Sequence, residues 1–243
     1  MEFAGQAAVV TGAAQGIGLA VGRLLAERGA AVFLLDRDGA ALSRAVAALS
    51  HLSVTGLEVD VTDEAAILRA RDAISAKQGA ASVLVNNAGW FPSTTIREIT
   101  IDDWNKVFDV NAKSVLLVTR AFMDGMVARR HGRVVNIGSS GAYVPNPGLP
   151  HYAAAKLSVL SLTKTFALEL APHGVLVNGV SPGSVATERQ MGQAWLAQRV
   201  PTIPIRRAGT PKDIAEVVLF LASPRNRFIC GETIIADGGL RMY

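Results

Sequence analysis

With one cysteine in 243 residues, Cys230, the chain has no partner for an intrachain disulfide and reads as a protein of a reducing compartment. No apolar run approaches the roughly 18 residues that a membrane helix requires. The opening stretch MEFAGQAAVV has an acid at position 2 and no basic segment, which argues against a secretory leader. The expectation is a soluble cytoplasmic protein with no membrane partner. His51, His131, His151 and His173 fall at no metal-ligand spacing, so no metal site is expected. Charge of one sign is also scarce. The excess is +4 and the pI about 9.5. The densest basic group, ARRHGR at 128–133, reads as a solvated helix end. Nucleic-acid binding requires a basic face with groove-reading or aromatic elements, and the sequence offers none. There is no Pro/Ser-rich linker, repeat or low-complexity tract, so residues 1–243 read as a single domain.

What is present is an alternation. Short β-branched runs at 7–11, 30–36, 52–60, 82–86, 132–137, 174–180 and 232–237 read as strands. Between them, segments of helical period cover about 16–29, 38–50, 63–79, 102–130, 151–171 and 211–223. Strands apolar throughout, alternating with helices, predict a parallel sheet covered on both faces. The fold class is therefore α/β, a doubly wound Rossmann-type sheet of about seven strands. Ligands of such sheets bind beyond the carboxyl ends of the strands.

The loop after the first strand is TGAAQGIG, at 11–18, and it opens a helix. Gly12 allows a tight turn, Gly16 a close approach of backbone to pyrophosphate, and Gly18 close packing of the helix. The helix start adds amide donors and a positive dipole. Asp36, at the end of the second strand, is placed to accept hydrogen bonds from both ribose hydroxyls of an adenosine and to repel a 2′-phosphate. This points to NAD(H) over NADP(H), although the adjacent Arg37 is a guanidinium that would favour a phosphate.

HYAAAK, at 151–156, puts Tyr152 and Lys156 on one face of a helix. Two readings are open from these six residues. One is packing, with the phenol half buried and the amine solvated. The other is chemistry, a cation lowering the phenol pKa from about 10.

VNNAGW (85–90), NIGSSGAY (136–143) and VSPGSVAT (180–187) follow the fourth, fifth and sixth strands. With these the chain resembles the short-chain dehydrogenase/reductase family over essentially its whole length. The pieces that carry the resemblance are TGAAQGIG, Asp60 with Val61, NNAG, Asn111, Ser139, YAAAK and PGSVAT, in that order. The resemblance implies Tyr152 as general acid/base, Lys156 lowering its pKa and holding the nicotinamide ribose, and Ser139 steadying the substrate oxygen. It implies Asn111 as holder of a water linking Lys156 to solvent. Cofactor contacts implied are Gly12, Gln15, Gly16, Ile17, Gly18, Asp36 and Arg37 for the adenosine half, and Asp60 and Val61 at adenine. Asn87, Ala88 and Gly89 line the ribose, and Pro182, Gly183, Val185 and Thr187 seat the carboxamide. Asn86 is a structural tie by the same pattern. Hydride transfer at a carbinol carbon demands a proton transfer as well, and a tuned phenol suits that task.

Ser140 is an alternative to Ser139, and His151 reads as an inert or rim position. Residues 184–208 correspond to a variable substrate loop, with Met191, Trp195 and Ile203 as its apolar members. Trp90, Phe91, Tyr143 and Leu149 are candidate walls. The expected activity is NAD-dependent interconversion of a secondary alcohol and a ketone, on a small hydrophobic or ring-bearing substrate. A 3-oxoacyl-acyl-carrier-protein reductase is the alternative, suggested by NPG at 146–148 and the basic helix end. A non-catalytic nucleotide sensor on the same scaffold is a third reading. The resemblance also implies a homotetramer.

Overall fold

The computed structural model describes residues 1–188 and 190–241. Seven strands form one parallel sheet: β1 (Ala7–Thr11), β2 (Ala31–Asp36), β3 (Val54–Glu58), β4 (Val83–Asn86), β5 (Gly132–Ile137), β6 (Val175–Pro182) and β7 (Thr233–Ala236). Their order is β3-β2-β1-β4-β5-β6-β7, and every neighbouring pair is parallel. The chain winds outward from β1 to β3, then returns beside β1 and winds the other way. The reversal lies between β1 and β4, where the glycine-rich turn and the NNAG loop emerge side by side.

Helices α1 (Gly16–Glu27), α2 (Gly39–Ala48) and α8 (Pro211–Ala222) include the cover of one face. Helices α3 (Glu64–Gln78) and α5 (Ser114–Ala128) cover the other. Period-2 alternation divides the strands between these layers. Val10 and Leu34 pack with Val21, Leu25, Ile214 and Val218, whereas Val9, Phe33 and Leu84 pack with Ile67, Ile74, Phe122 and Met126. The central strands are buried on both faces because each face has its own core.

Local chemistry sets the helix ends. Asp63 caps α3 by accepting from Ala66 N at 3.1 Å, and Thr210 and Asp213 form a capping box on α8 with Pro211 behind it. The long helix expected over 102–130 is not regular. It runs as α4 (Ile101–Phe108), one π-turn over Asp109–Lys113, and then α5. The substrate-loop region contains a further helix, α7 (Ala194–Arg199). α6 (Pro150–Leu170) carries the HYAAAK hexapeptide.

The basic stretch at 128–133 is more tethered than a solvated helix end. Arg129 donates to the carbonyl of Ala80 at 3.0 Å and Arg130 to that of Pro172 at 3.1 Å. Among the described residues, no helix is long and apolar enough to cross a membrane, and no His, Cys, Asp and Glu side chains cluster as metal ligands.

Candidate active site

The strand ends build one cleft. It is lined by Gly12, Gln15, Gly16 and Ile17 after β1, Asp36 and Arg37 after β2, and Asp60 and Val61 after β3. Asn87, Ala88, Gly89, Trp90 and Phe91 follow β4, Ser139 follows β5, and Pro182, Gly183, Val185, Thr187 and Glu188 come from β6 and its loop. Tyr152 and Lys156 reach it from α6. Of the residues marked from the sequence, Gly18 and Asn111 stand behind this surface. Gly18 packs so closely that a Cβ there would lie 2.4 Å from the carbonyl oxygen of Gly12.

Gly12 has φ of +61°, and a Cβ on it would meet Ala88 Cα at 2.7 Å, so the turn is open only to glycine. Thr11 joins the two loops of the reversal point: its Oγ1 accepts from Asn87 N at 3.0 Å and Ala88 N at 3.1 Å. Asn87 returns the link, donating through Nδ2 to the carbonyls of Thr11 and Gly12, both at 2.9 Å. Its amide thus frames the turn. Asn86 is the structural tie expected, donating to Asn136 Oδ1 at 2.8 Å and Thr119 Oγ1 at 3.0 Å.

Asp36 is held by backbone. Oδ2 accepts from Ala14 N at 3.0 Å and Oδ1 from Asp38 N at 3.1 Å. Two amide donors fix a carboxylate in one orientation. Asp60 is similarly turned into its own loop, accepting from the N and Oγ1 of Thr62, both at 2.8 Å.

At the other end, Ser139 Oγ accepts from Gly141 N at 3.1 Å, which leaves the hydroxyl proton to give. That hydroxyl bonds the phenol of Tyr152 and acts to lower its pKa. Ser139 is therefore the serine that engages the tyrosine, while Ser140 is buried in the following 3-10 turn. Lys156 is buried, donates from Nζ to the carbonyl of Ile137 at 2.7 Å, and lies 5.9 Å from the centroid of the Tyr152 ring.

The expected lowering of the phenol pKa by this amine is not what the structure has. Burial dominates, and with Ser139 opposing it the phenol is pushed up to about 12. Burial also pulls Lys156 down to about 8. Both shifts have the same cause, the removal of water from around the pair.

Asn111 sits inside the π-turn, fully buried. Its Nδ2 donates to the carbonyls of Trp90 at 2.7 Å and Val107 at 2.9 Å, and its Oδ1 accepts from Trp90 N at 3.2 Å. The extra residue of a π-turn re-aims a side chain, and here it clamps the NNAG loop. Phe91, on that loop, lies with its ring centroid 5.7 Å from that of Tyr152, so it walls the reacting end.

Of the two readings open for His151, inert or rim, the structure favours the inert one: it is fully buried, with neither ring nitrogen hydrogen-bonded. Burial lowers its pKa, with Asp103 acting weakly against it. Ile203 is also fully buried and serves as an anchor of the substrate-loop region instead of a lid residue. Met191 and Trp195 are exposed and line no part of the cleft, whereas Glu188 and Gln190 do.

The family model described as Enoyl-(Acyl carrier protein) reductase matches residues 12–241. A solved short chain dehydrogenase/reductase family protein superposes with a TM-score of 0.90 at 37% identity, covering 98% of each chain. The chain belongs to the short-chain dehydrogenase/reductase family. Within it, the 3-oxoacyl-acyl-carrier-protein reductase of Vibrio harveyi is 38% identical over 246 residues, with all of both chains covered. The corresponding reductase of Escherichia coli strain K12 is 37% identical over the same span and coverage. A solved putative gluconate dehydrogenase of Agrobacterium tumefaciens has a TM-score of 0.94 at 27% identity, covering 100% of this chain and 98% of its own. The protein is thus an oxidoreductase built for a nicotinamide cofactor. The glycine cradle and the ordered Asp36 fit that group.

Proposed function

We propose that the protein is an NAD(H)-dependent oxidoreductase interconverting a secondary alcohol and a ketone on a small hydrophobic or ring-bearing substrate. The observation that carries the cofactor choice is Asp36, a carboxylate pinned by two backbone amides at the cleft's adenosine end. A fixed negative charge there repels a 2′-phosphate, and Arg37 next to it is the one feature pulling the other way. The bound nicotinamide supplies or accepts the hydride. Tyr152, protonated at neutral pH, gives its proton to the carbonyl oxygen during reduction and takes one back during oxidation. Ser139 donates a hydrogen bond to the same oxygen and steadies the charge that develops on it. Lys156, charged below about pH 8, compensates the phenolate once the proton has left. Asn111 keeps the NNAG loop, and with it Phe91, against the tyrosine. Trp90 and Phe91 support an apolar substrate.

The working form is taken to be a homotetramer in the cytoplasm. Exposed Ile101, Leu116, Leu157 and Leu168, on α4, α5 and α6, support further association.

The relatives at 36% to 38% identity favour a second reading, a 3-oxoacyl-acyl-carrier-protein reductase. Steady-state kinetics with NADH and NADPH, on a panel of aryl and alkyl ketones and one carrier-bound 3-oxoacyl chain, separates the two. The proposal expects kcat/KM for NADH to exceed that for NADPH by at least about tenfold, a difference of about 1.4 kcal/mol, with free ketones turned over. A preference for NADPH together with the carrier-bound substrate overturns it.

A further inference from the structure

One contact at the cofactor end has no place in the proton and hydride chemistry. The backbone N–H of Gly16, at the start of α1, donates to Glu188 Oε2 at 3.2 Å. The two residues are 172 positions apart, so tertiary folding alone brings a carboxylate to the glycine-rich turn. The segment that carries it is anchored on both sides of its base. Ala186 N donates to Gly209 O at 2.8 Å, and Gly209 N donates to Ser184 O at 2.9 Å. From there the chain turns over Thr187, whose carbonyl accepts from Gln190 N and Met191 N, both at 2.8 Å. Thr187 itself is pressed onto the turn, since a Cβ on Gly16 would meet its Cγ2 at 3.3 Å. The anchored turn therefore aims Glu188 at the amide that a pyrophosphate would use.

We propose that Glu188 is a built-in competitor for the cofactor's pyrophosphate, an anion of the protein's own seated on the phosphate-binding turn. This rests on the assignment of the cleft to a dinucleotide. A carboxylate and a phosphate oxygen seek the same donors, and the two negative groups repel at that distance. Glu188 must therefore swing away when the pyrophosphate arrives. Breaking its bond and moving the tip of the substrate-loop region lowers cofactor affinity. The penalty is specific to ligands with phosphates, because adenosine and its ribose are received elsewhere, at Asp36.

Glu188→Gln tests this, since it keeps the size and removes the charge. The side chain is exposed, so the variant's thermal melt is expected to match the wild type. Dissociation constants for NADH, ADP and adenosine are measured by calorimetry on both proteins. NADH and ADP are expected to bind the variant about two- to fivefold more tightly, the range of a charge at a helix start, with adenosine unchanged. Equal or weaker binding of NADH and ADP to the variant overturns the proposal. A gain for adenosine as large as that for ADP also overturns it, because the effect is then not competition with phosphate. A wild-type protein that takes NADPH and ADP but not NADH refutes the NAD assignment alone, and the ADP and adenosine comparison still decides the role of Glu188.

Discussion

At the scale of single residues, the site is governed by burial. The spacing of Tyr152 and Lys156 was legible in the sequence, and so was their convergence with Ser139. The sign of the phenol shift was not, because it depends on how much water the fold removes, and spacing on a helix carries no information about that. A phenol at about 12 and an amine at about 8 have opposite uses. Ketone reduction, which needs the proton in place, is expected to have a kcat/KM nearly flat from about pH 6 to 8. Alcohol oxidation, which needs the phenolate, climbs with pH and reaches no plateau by about pH 9. Lys156 also leaves a mark on stability. Its folded pKa lies below 10.5, so between about 8 and 10.5 the unfolded chain binds the extra proton, and stability rises with pH. Urea melts of wild type and Lys156→Met, at about pH 7.5 and 9.5, check this. The wild type is expected to gain on the variant as pH rises; parallel curves contradict the burial of the amine.

At the scale of elements, the strands were the most legible feature. The strands Ala7–Thr11 and Gly132–Ile137, apolar on both faces, have the bounds that the sequence predicts, because a strand buried on both faces reads as a continuous apolar run. The π-turn at Asp109–Lys113 was hidden, since it keeps the composition of a helix and shifts only its hydrogen bonds. Glu188 and the helix Ala194–Arg199 were hidden too, because their positions follow from contacts across the molecule. The capping box of α8 joins Thr210 and Asp213, with Pro211 as the first helical residue. Asp213 there accepts from Thr210 N at 2.7 Å and pairs with Arg207 at 2.6 Å, which holds its carboxyl far below the usual range. The pair is partly exposed, so the cap contributes most of the stabilisation. Asp213→Asn is expected to cost about 1 kcal/mol in a denaturant melt, with the melt lowered but the cleft intact. No change in midpoint contradicts the role assigned to the box.

At the scale of the whole molecule, the two halves of the sheet wind away from one point and leave their loops facing a common cleft. In the proposed reaction the β1 and β4 loops receive the cofactor, and α6 brings the proton-transfer groups to its far end. The account stands on that division: cofactor binding depends on the strand-end loops, and turnover depends on the phenol. The most direct measurement is Tyr152→Phe, with kcat for ketone reduction and the dissociation constant of NADH determined on the same preparation. The account predicts a loss in kcat of about a hundredfold to ten-thousandfold, with NADH affinity within about twofold of wild type. A folded variant that turns over at the wild-type rate would contradict it.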